Sequence, residues 1–141
     1  MIAPGITILF EGGRRTFEPG DLLTAEYRID SLVPVEIKAL EASVMWYTAG
    51  KGDEDLAVHH FVRNTPDDAL IDFRRPQSLR TILPVGPLSY DGAIVKVRWC
   101  VRVRMFPLRG RETVSEELFQ LGRVPQAVVR KPPEPVVVEE I

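Results

Sequence analysis

Four basic residues share one short stretch of the chain and are separated by even numbers of positions: Lys96, Arg98, Arg102 and Arg104. In an extended chain alternate side chains point to the same face, so these four cations would form one basic stripe. Ammonium and guanidinium groups in such a row form charge-assisted hydrogen bonds with carboxylate or phosphate oxygens. The stripe therefore predicts a binding surface for an acidic peptide, a phosphopeptide or an anionic surface.

A second interpretation of the same stripe is a solvated sheet face with internal ion pairs. Glu112, Glu116 and carboxylates of the other neighbouring strand could pair with these cations. Exposed pairs of this kind contribute only about 0–1 kcal/mol each.

The residues between the cations indicate which element positions them. The odd positions from 93 to 105 are all apolar: Ala93, Val95, Val97, Trp99, Val101, Val103 and Met105. This alternation has the period of a β-strand, and a helix with 3.6 residues per turn would not separate the two sets. The stretch from Ala93 to Phe106 is therefore predicted to be the central strand of a two-layer β protein.

Reactive side chains are few. Cys100 lies on the polar face beside Arg98 and Arg102, and these cations would lower the pKa of its thiol. His59 and His60 are adjacent, and adjacent strand residues point to opposite faces, so they could not bind one metal together. His60 would lie in the core or at its rim. Because no catalytic, metal-ligand or phosphate-loop motif occurs, we predict a non-enzymatic protein without a cofactor.

Two acidic segments suggest an alternative function. Asp53-Glu54-Asp55 is one, and Asp67-Asp68 with Asp72 is the other. Calcium takes six to eight oxygen ligands, so a sandwich with carboxylates in two loops could be a C2-like calcium- or phospholipid-binding module. Neither segment has the D-x-D-x-D pattern of three alternating aspartates, and nothing in the sequence shows that the two segments share one end of the fold. Solvated turn carboxylates are the simpler interpretation.

Length and composition favour a single globular domain. The chain has 141 residues, 45% of them hydrophobic, a net charge of −2 and one cysteine. The charge argues against a nucleic-acid-binding protein, and one cysteine excludes an internal disulfide. No secretory signal and no stretch of about 20 apolar residues is recognised, so we expect a cytoplasmic protein without a membrane segment.

The rest of the chain predicts further short strands around the central one. They are expected at Ile6–Phe10, Leu23–Ile29, Val35–Thr48, Leu56–Val62, Gln77–Leu83 and Glu112–Leu121. The apolar phase changes near Ala39-Leu40, which indicates a β-bulge. About seven to eight strands with frequent turns predict an all-β fold, an antiparallel immunoglobulin-like β-sandwich over residues 1–122.

The central strand and the last strand form a predicted hairpin through Pro107–Gly110. The preferred register pairs Trp99 with Phe119 and Val97 with Leu121, because it keeps large apolar groups on one face. The same register sets Arg102 opposite Glu116.

Residues 123–141 are predicted to be a Pro-rich, extended C-terminal tail. Prolines 132, 133 and 135 cannot donate to a sheet ladder. Val136–Val138 could add to an exposed sheet edge, either its own or a neighbour's. An unpaired edge would also favour a homodimer formed edge to edge.

The segment leading into the central strand carries a resemblance to a known family. Leu83-Pro84, then Pro87-Leu88-Ser89-Tyr90-Asp91-Gly92, then Val97-Arg98-Trp99 resembles arrestin-fold proteins. Two weaker similarities are Phe17-x-Pro19-Gly20-Asp21 and the strand from Glu41 to Gly50. The residues that carry the motif are Leu83, Pro84, Ser89, Tyr90, Gly92 and Trp99.

The resemblance covers roughly residues 10–122 and implies a single arrestin-like sandwich. Arrestins have two such sandwiches, and their phosphate-sensing residues have no counterparts that can be placed here. The resemblance implies an adaptor-like module related to sporulation-control and retromer-type proteins. Such a module would bind a protein partner through the basic strand face, a sheet edge or the tail. It also suggests that Trp99 anchors the core, that Tyr90 plugs the sandwich end while its hydroxyl finds a backbone partner, and that Gly92 permits a sharp turn.

Overall fold

Two β-sheets stacked face to face form the described part of the molecule. The computed structural model describes residues 5–52, 54–66 and 72–122. Nine strands occur in these ranges: β1 Gly5–Phe10, β2 Thr16–Phe17, β3 Leu22–Asp30, β4 Ile37–Gly50, β5 Leu56–Asn64, β6 Gln77–Ile82, β7 Tyr90–Asp91, β8 Val95–Pro107 and β9 Thr113–Leu121. The predicted all-β sandwich is confirmed, and the predicted tail lies outside the described residues.

The smaller sheet has the order β1-β3-β6, and the larger has the order β2-β9-β8-β4-β5, with β7 also paired to β8. Two of these strands, β2 and β7, are only two residues long and were not predicted from the sequence. The predicted antiparallel arrangement needs one correction, because β2 pairs with β9 in parallel. Strands this short carry no periodic signal, and the backbone of their neighbours specifies them instead.

Strand β8 lies near the middle of the larger sheet and has the two faces that its sequence predicts. Its inward side chains Trp99, Val101, Val103 and Met105 are buried against the smaller sheet. Its even-numbered residues lie on the outer face, where they align with the odd-numbered residues of β4. Burial removes most of the apolar surface of these inward side chains from water. Each Å2 buried in this way stabilises the fold by roughly 25 cal/mol.

Strand β4 carries two irregularities. In its pairing with β8 the register shifts between Ile37 and Ala39, which confirms the bulge predicted from the change of apolar phase. In its pairing with β5 the register shifts between Val44 and Met45. These two irregularities allow β4 to pair with both β5 and β8 while its apolar residues stay on the inner face.

The second irregularity corrects the prediction for the histidine pair. Val44 pairs with His60 and Met45 with Val58, so His59 is the extra residue of a bulge in β5. The ring of His59 reaches the inner side, where it lies edge-on to Trp99 at 6.2 Å between ring centroids. Simple alternation therefore does not hold here, and the two histidines do not point to opposite faces as expected.

The hairpin register of β8 and β9 is as predicted over most of its length. Trp99 pairs with Phe119, and Arg102 pairs with Glu116. The predicted pairing of Val97 with Leu121 is wrong, because Val97 pairs with Tyr90 of β7. The β9 ladder ends at Phe119, and β7 occupies the next positions along the same edge of β8.

The loop between β4 and β5 provides a matched test of backbone strain. Gly50 and Gly52 both have positive φ, at 128° and 101°. A Cβ atom on Gly50 would lie 2.2 Å from the carbonyl oxygen of Ile94, whereas a Cβ on Gly52 meets nothing within 4 Å. Gly52→Ala should therefore cost about 1 kcal/mol through φ alone. Gly50→Ala should cost about 3 kcal/mol, because the backbone of β8 must also move.

Chemical denaturation of both variants measures this difference. Equal losses of unfolding free energy would show that the close approach of the two backbones does not contribute to stability.

Candidate functional site

Three of the four cations on the outer face of β8 form ion pairs. Lys96 Nζ lies 3.0 Å from an Asp91 carboxylate oxygen. Arg102 lies 2.8 Å from Glu116, and Arg104 lies 3.6 Å from Glu112. Two of these carboxylates, Glu112 and Glu116, are those that the sequence offered as internal partners. The basic stripe is therefore largely neutralised within the chain.

Glu116 is the centre of a small polar cluster on this face. Its Oε1 accepts hydrogen bonds from Arg102 Nε and Nη2 at 2.9 and 2.8 Å. Its Oε2 accepts a hydrogen bond from the Tyr47 hydroxyl at 2.7 Å. Strands β4, β8 and β9 each contribute one member, so the cluster links three adjacent strands.

The cluster shifts the acidities of its members. Burial alone would raise the pKa of Glu116, but the hydrogen bonds from Tyr47 and Arg102 and the charge of Arg102 outweigh it, so the pKa is lowered. Burial, followed by the hydrogen bond to Glu116, raises the pKa of Tyr47 to about 12. Glu116 is thus held ionised and Tyr47 neutral near neutral pH.

The predicted shift in the pKa of Cys100 has the wrong direction. Although Cys100 belongs to the outer face, it is completely buried. Burial, together with the charge of Glu116, raises its pKa to about 12, and the opposing charge of Arg102 is too weak to reverse this. The thiol is therefore protonated and inert at neutral pH.

Arg98 differs from the other three cations. Among the described residues, no carboxylate forms an ion pair with it. It lies where the β7 ladder has ended at Val97 and the β9 ladder has not yet begun at Trp99. A cleft of about 180 Å3 opens at this gap, and Arg98 forms part of its wall. The residues lining the cleft are Ser89, Tyr90, Asp91, Val97, Arg98, Trp99, Leu118, Phe119 and Gln120.

Hydrogen bonds around Ser89 hold this Arg98 cleft open. Ser89 N–H donates to the Leu121 carbonyl at 2.9 Å, and Leu121 N–H donates to Ser89 Oγ at 2.8 Å. Trp99 Nε1 donates to the Pro87 carbonyl at 2.7 Å, which fixes the indole beneath the cleft. Leu83, at the start of the motif, is buried and exchanges backbone hydrogen bonds with the Gly20-Asp21 turn at 2.9 Å.

One motif residue, Tyr90, behaves differently from the expectation. Tyr90 is 46% exposed, so it stands at the rim of the cleft and does not plug the end of the sandwich. Gly92 does stand in a turn, but positive φ is not what it supplies. A Cβ on Gly92 would lie 2.3 Å from the Tyr90 ring and 2.7 Å from the Val95 carbonyl oxygen. Glycine is needed here for close approach.

The described residues of the two acidic segments lie at opposite ends of β5, and Asp53, Asp67 and Asp68 lie outside the described residues. Glu54 and Asp55 precede this strand, and Asp72 belongs to the connection that follows it. Nine strand residues separate the two loops by about 30 Å, so these carboxylates cannot bind one ion. Asp72 instead pairs with Arg74 at 2.9 Å. Among the described residues, no three metal-ligating side chains are grouped closely enough to hold a metal ion.

Comparison with known proteins supports the class of fold. The sandwich is similar to arrestin-like folds, as the motif around Ser89 suggested. One solved structure that it matches is Spo0M, a sporulation control protein from Bacillus subtilis, with a TM-score of 0.57 and 14% sequence identity. The match covers 87% of this chain and 51% of that one, so the chain spans about half the length of Spo0M.

At this identity the similarity concerns the fold alone. No protein-family profile and no curated protein matches the sequence. Within the three described ranges, no helix is both long and apolar enough to cross a membrane.

The Glu116 cluster leads to a prediction about pH. The lowered pKa of Glu116 means that the folded state holds its proton less tightly than the unfolded chain does. This stabilisation is present above the ordinary glutamate pKa and is lost as the pH falls through the lower, folded-state value. Glu116→Gln should therefore cost about 1–2 kcal/mol at about pH 7 and less at about pH 3.

Urea unfolding at both pH values measures the difference, with Glu112→Gln as the control. Glu112 forms only the exposed 3.6 Å pair with Arg104, so its variant should lose about 0–1 kcal/mol at most. A loss for Glu116→Gln that is independent of pH would refute the electrostatic role of the cluster.

Proposed function

We propose that this chain is a non-enzymatic protein-interaction module of arrestin-like type that binds an acidic segment of a partner protein on the outer face of β8. The observation that supports this most directly is Arg98, the cation of the basic stripe without an ion-pair partner in the described residues, in the wall of a cleft. The basic strand face was one of three surfaces suggested by the sequence, and the unpaired side chain of Arg98 supports the choice of this face for the proposal.

The other cations of the stripe are less available to a ligand. An acidic group that approached Arg102 would compete with Glu116, which is already bonded by two arginine nitrogens and the Tyr47 hydroxyl. Asp91 also lines the cleft, but Lys96 pairs with it at 3.0 Å and reduces its repulsion of an anion. The net attraction for an acidic ligand is therefore centred on Arg98.

The residues at the rim of the cleft indicate which kind of ligand side chain would fit beside the acidic group. Tyr90 and Leu118 are exposed there, and Gln120, whose Nε2 donates to the Gly122 carbonyl at 2.8 Å, also lines the cleft. An arginine fork binds a carboxylate through two parallel hydrogen bonds, and an aromatic rim covers apolar side chains. The ligand that fits best is an extended peptide with an aspartate or glutamate beside an apolar residue.

Selection from a random peptide display library tests this proposal with the full chain as bait. Peptides enriched on the wild-type protein should contain Asp or Glu next to an apolar residue. Arg98→Glu should lose at least about tenfold in affinity for them, because attraction becomes repulsion, a change of about 1.4 kcal/mol or more.

Arg104→Glu is the matched control, since it makes the same charge reversal six positions along the same face. It should retain wild-type affinity, because Arg104 lies outside the cleft. If Arg98→Glu folds normally and enriches the same acidic peptides with unchanged affinity, the proposed site is wrong.

A further inference from the structure

The outer face of β5 carries an apolar stripe that nothing in the described part of the chain covers. Leu56, Val58 and Phe61 are 58%, 50% and 51% exposed. All three lie on the outer face, because they pair with Tyr47, Met45 and Ser43 of β4. The stripe runs along the edge of the larger sheet, beyond the side of β4 that faces away from the Arg98 cleft.

Strand β5 is also the longest edge strand in the described residues. It is nine residues long and contains neither proline nor lysine, the residues that commonly block edge pairing. The edge at β2 is two residues long, and Arg15 Nη1 beside it donates to the Leu118 carbonyl of β9 at 3.0 Å. The β6 edge is partly capped, because His59 Nε2 lies 2.8 Å from the Ile82 carbonyl oxygen.

We propose that β5 pairs antiparallel with β5 of a second copy of this chain, joining the two larger sheets across a two-fold axis. The sequence of β5 itself indicates that its pairing partner is a second copy of the same strand. Leu56 and Val58 have even numbers and Phe61 and Arg63 odd numbers, yet the bulge at His59 puts all four on the outer face.

The outer-face residues are even-numbered before the bulge and odd-numbered after it. This difference favours one register when two copies of β5 pair with each other. Directly opposite residues in an antiparallel pair share a face, so an even-numbered residue must oppose an odd-numbered one across the axis. With the axis between His59 and His60, Val58 lies opposite Phe61 of the second copy, and Leu56 lies opposite its Arg63. The bulge falls on the axis, and the two ladders form on either side of it.

Charge is complementary in this register. Continued by two residues, this register would bring Glu54, before the start of β5, diagonally opposite Arg63 of the second copy. Arg63 is half exposed even though it pairs with Glu41, so it can share its guanidinium between two carboxylates. The apolar stripe thus lies between an acidic end and a basic end, and the antiparallel arrangement brings unlike ends together.

Sedimentation equilibrium of the full chain at about 10–100 μM tests the proposal. The wild type should be a dimer, and Val58→Lys should raise the dissociation constant at least about tenfold, because two buried charges would face the apolar stripe. Val114→Lys is the control: Val114 is 48% exposed, against 50% for Val58, and lies on the same face but on β9. A monomeric wild type, or a folded Val58→Lys variant that dimerises like the wild type, overturns the proposal.

Cysteine crosslinking tests the register separately. An equimolar mixture of Val58→Cys and Phe61→Cys proteins should form an intermolecular disulfide under mild oxidation, because directly opposite residues satisfy disulfide geometry. Either variant alone should not, since like positions would be about 10 Å apart along the strands. Native Cys100 is buried and is kept in all variants. Crosslinking of one variant with itself, and not of the mixture, would contradict this register.

Discussion

The ladder between β4 and β8 is the constraint on which the rest of the structure depends. It runs without a long break from Ile37 to Gly50 and fixes which side of each strand faces the core. Strand β8 has an apolar residue at every inward position, so a slip by one residue would bury its arginines. Burying an unpaired guanidinium destabilises the fold by several kcal/mol, which is far more than any ion pair on the outer face contributes to stability. The fold is therefore specified by the inner face, and the outer face is free to carry function.

The distribution of charge on that outer face follows from the ends of the ladders. Glu116 of β9 and Glu112, directly before β9, lie beside β8 at one end, and Asp91 of β7 lies beside it at the other. Arg98 falls between the two, at a position that neither strand reaches. Within the described residues, the same gap that leaves Arg98 without an ion-paired carboxylate also forms the cleft. The unpaired cation and the concave surface in this part of the chain therefore have one structural cause.

Periodicity and strong cross-strand pairs were sufficient to predict the central strand, its two faces and the registers of Trp99 and Arg102. The parts that could not be predicted depend on contacts distant in sequence. Strand β7 is held by Ser89 bonding to Leu121, so neither the strand nor the cleft beside it leaves a periodic signal. The pKa of Cys100 was misjudged because its neighbours in sequence show charge, whereas its burial comes from packing. The bulge at His59 likewise depends on how β5 meets β4.

The two proposed surfaces lie on one continuous face, and this has a consequence for binding strength. Arg98 is on β8, which is separated from β5 by β4 alone. In a dimer joined through β5, five strand spacings would separate the two β8 strands, or about 24 Å across the sheet. Two clefts at that separation could engage two acidic segments of one partner chain, or one segment from each half of a dimeric partner. The second contact would then be intramolecular, so weak binding at each arginine could sum to a stable complex.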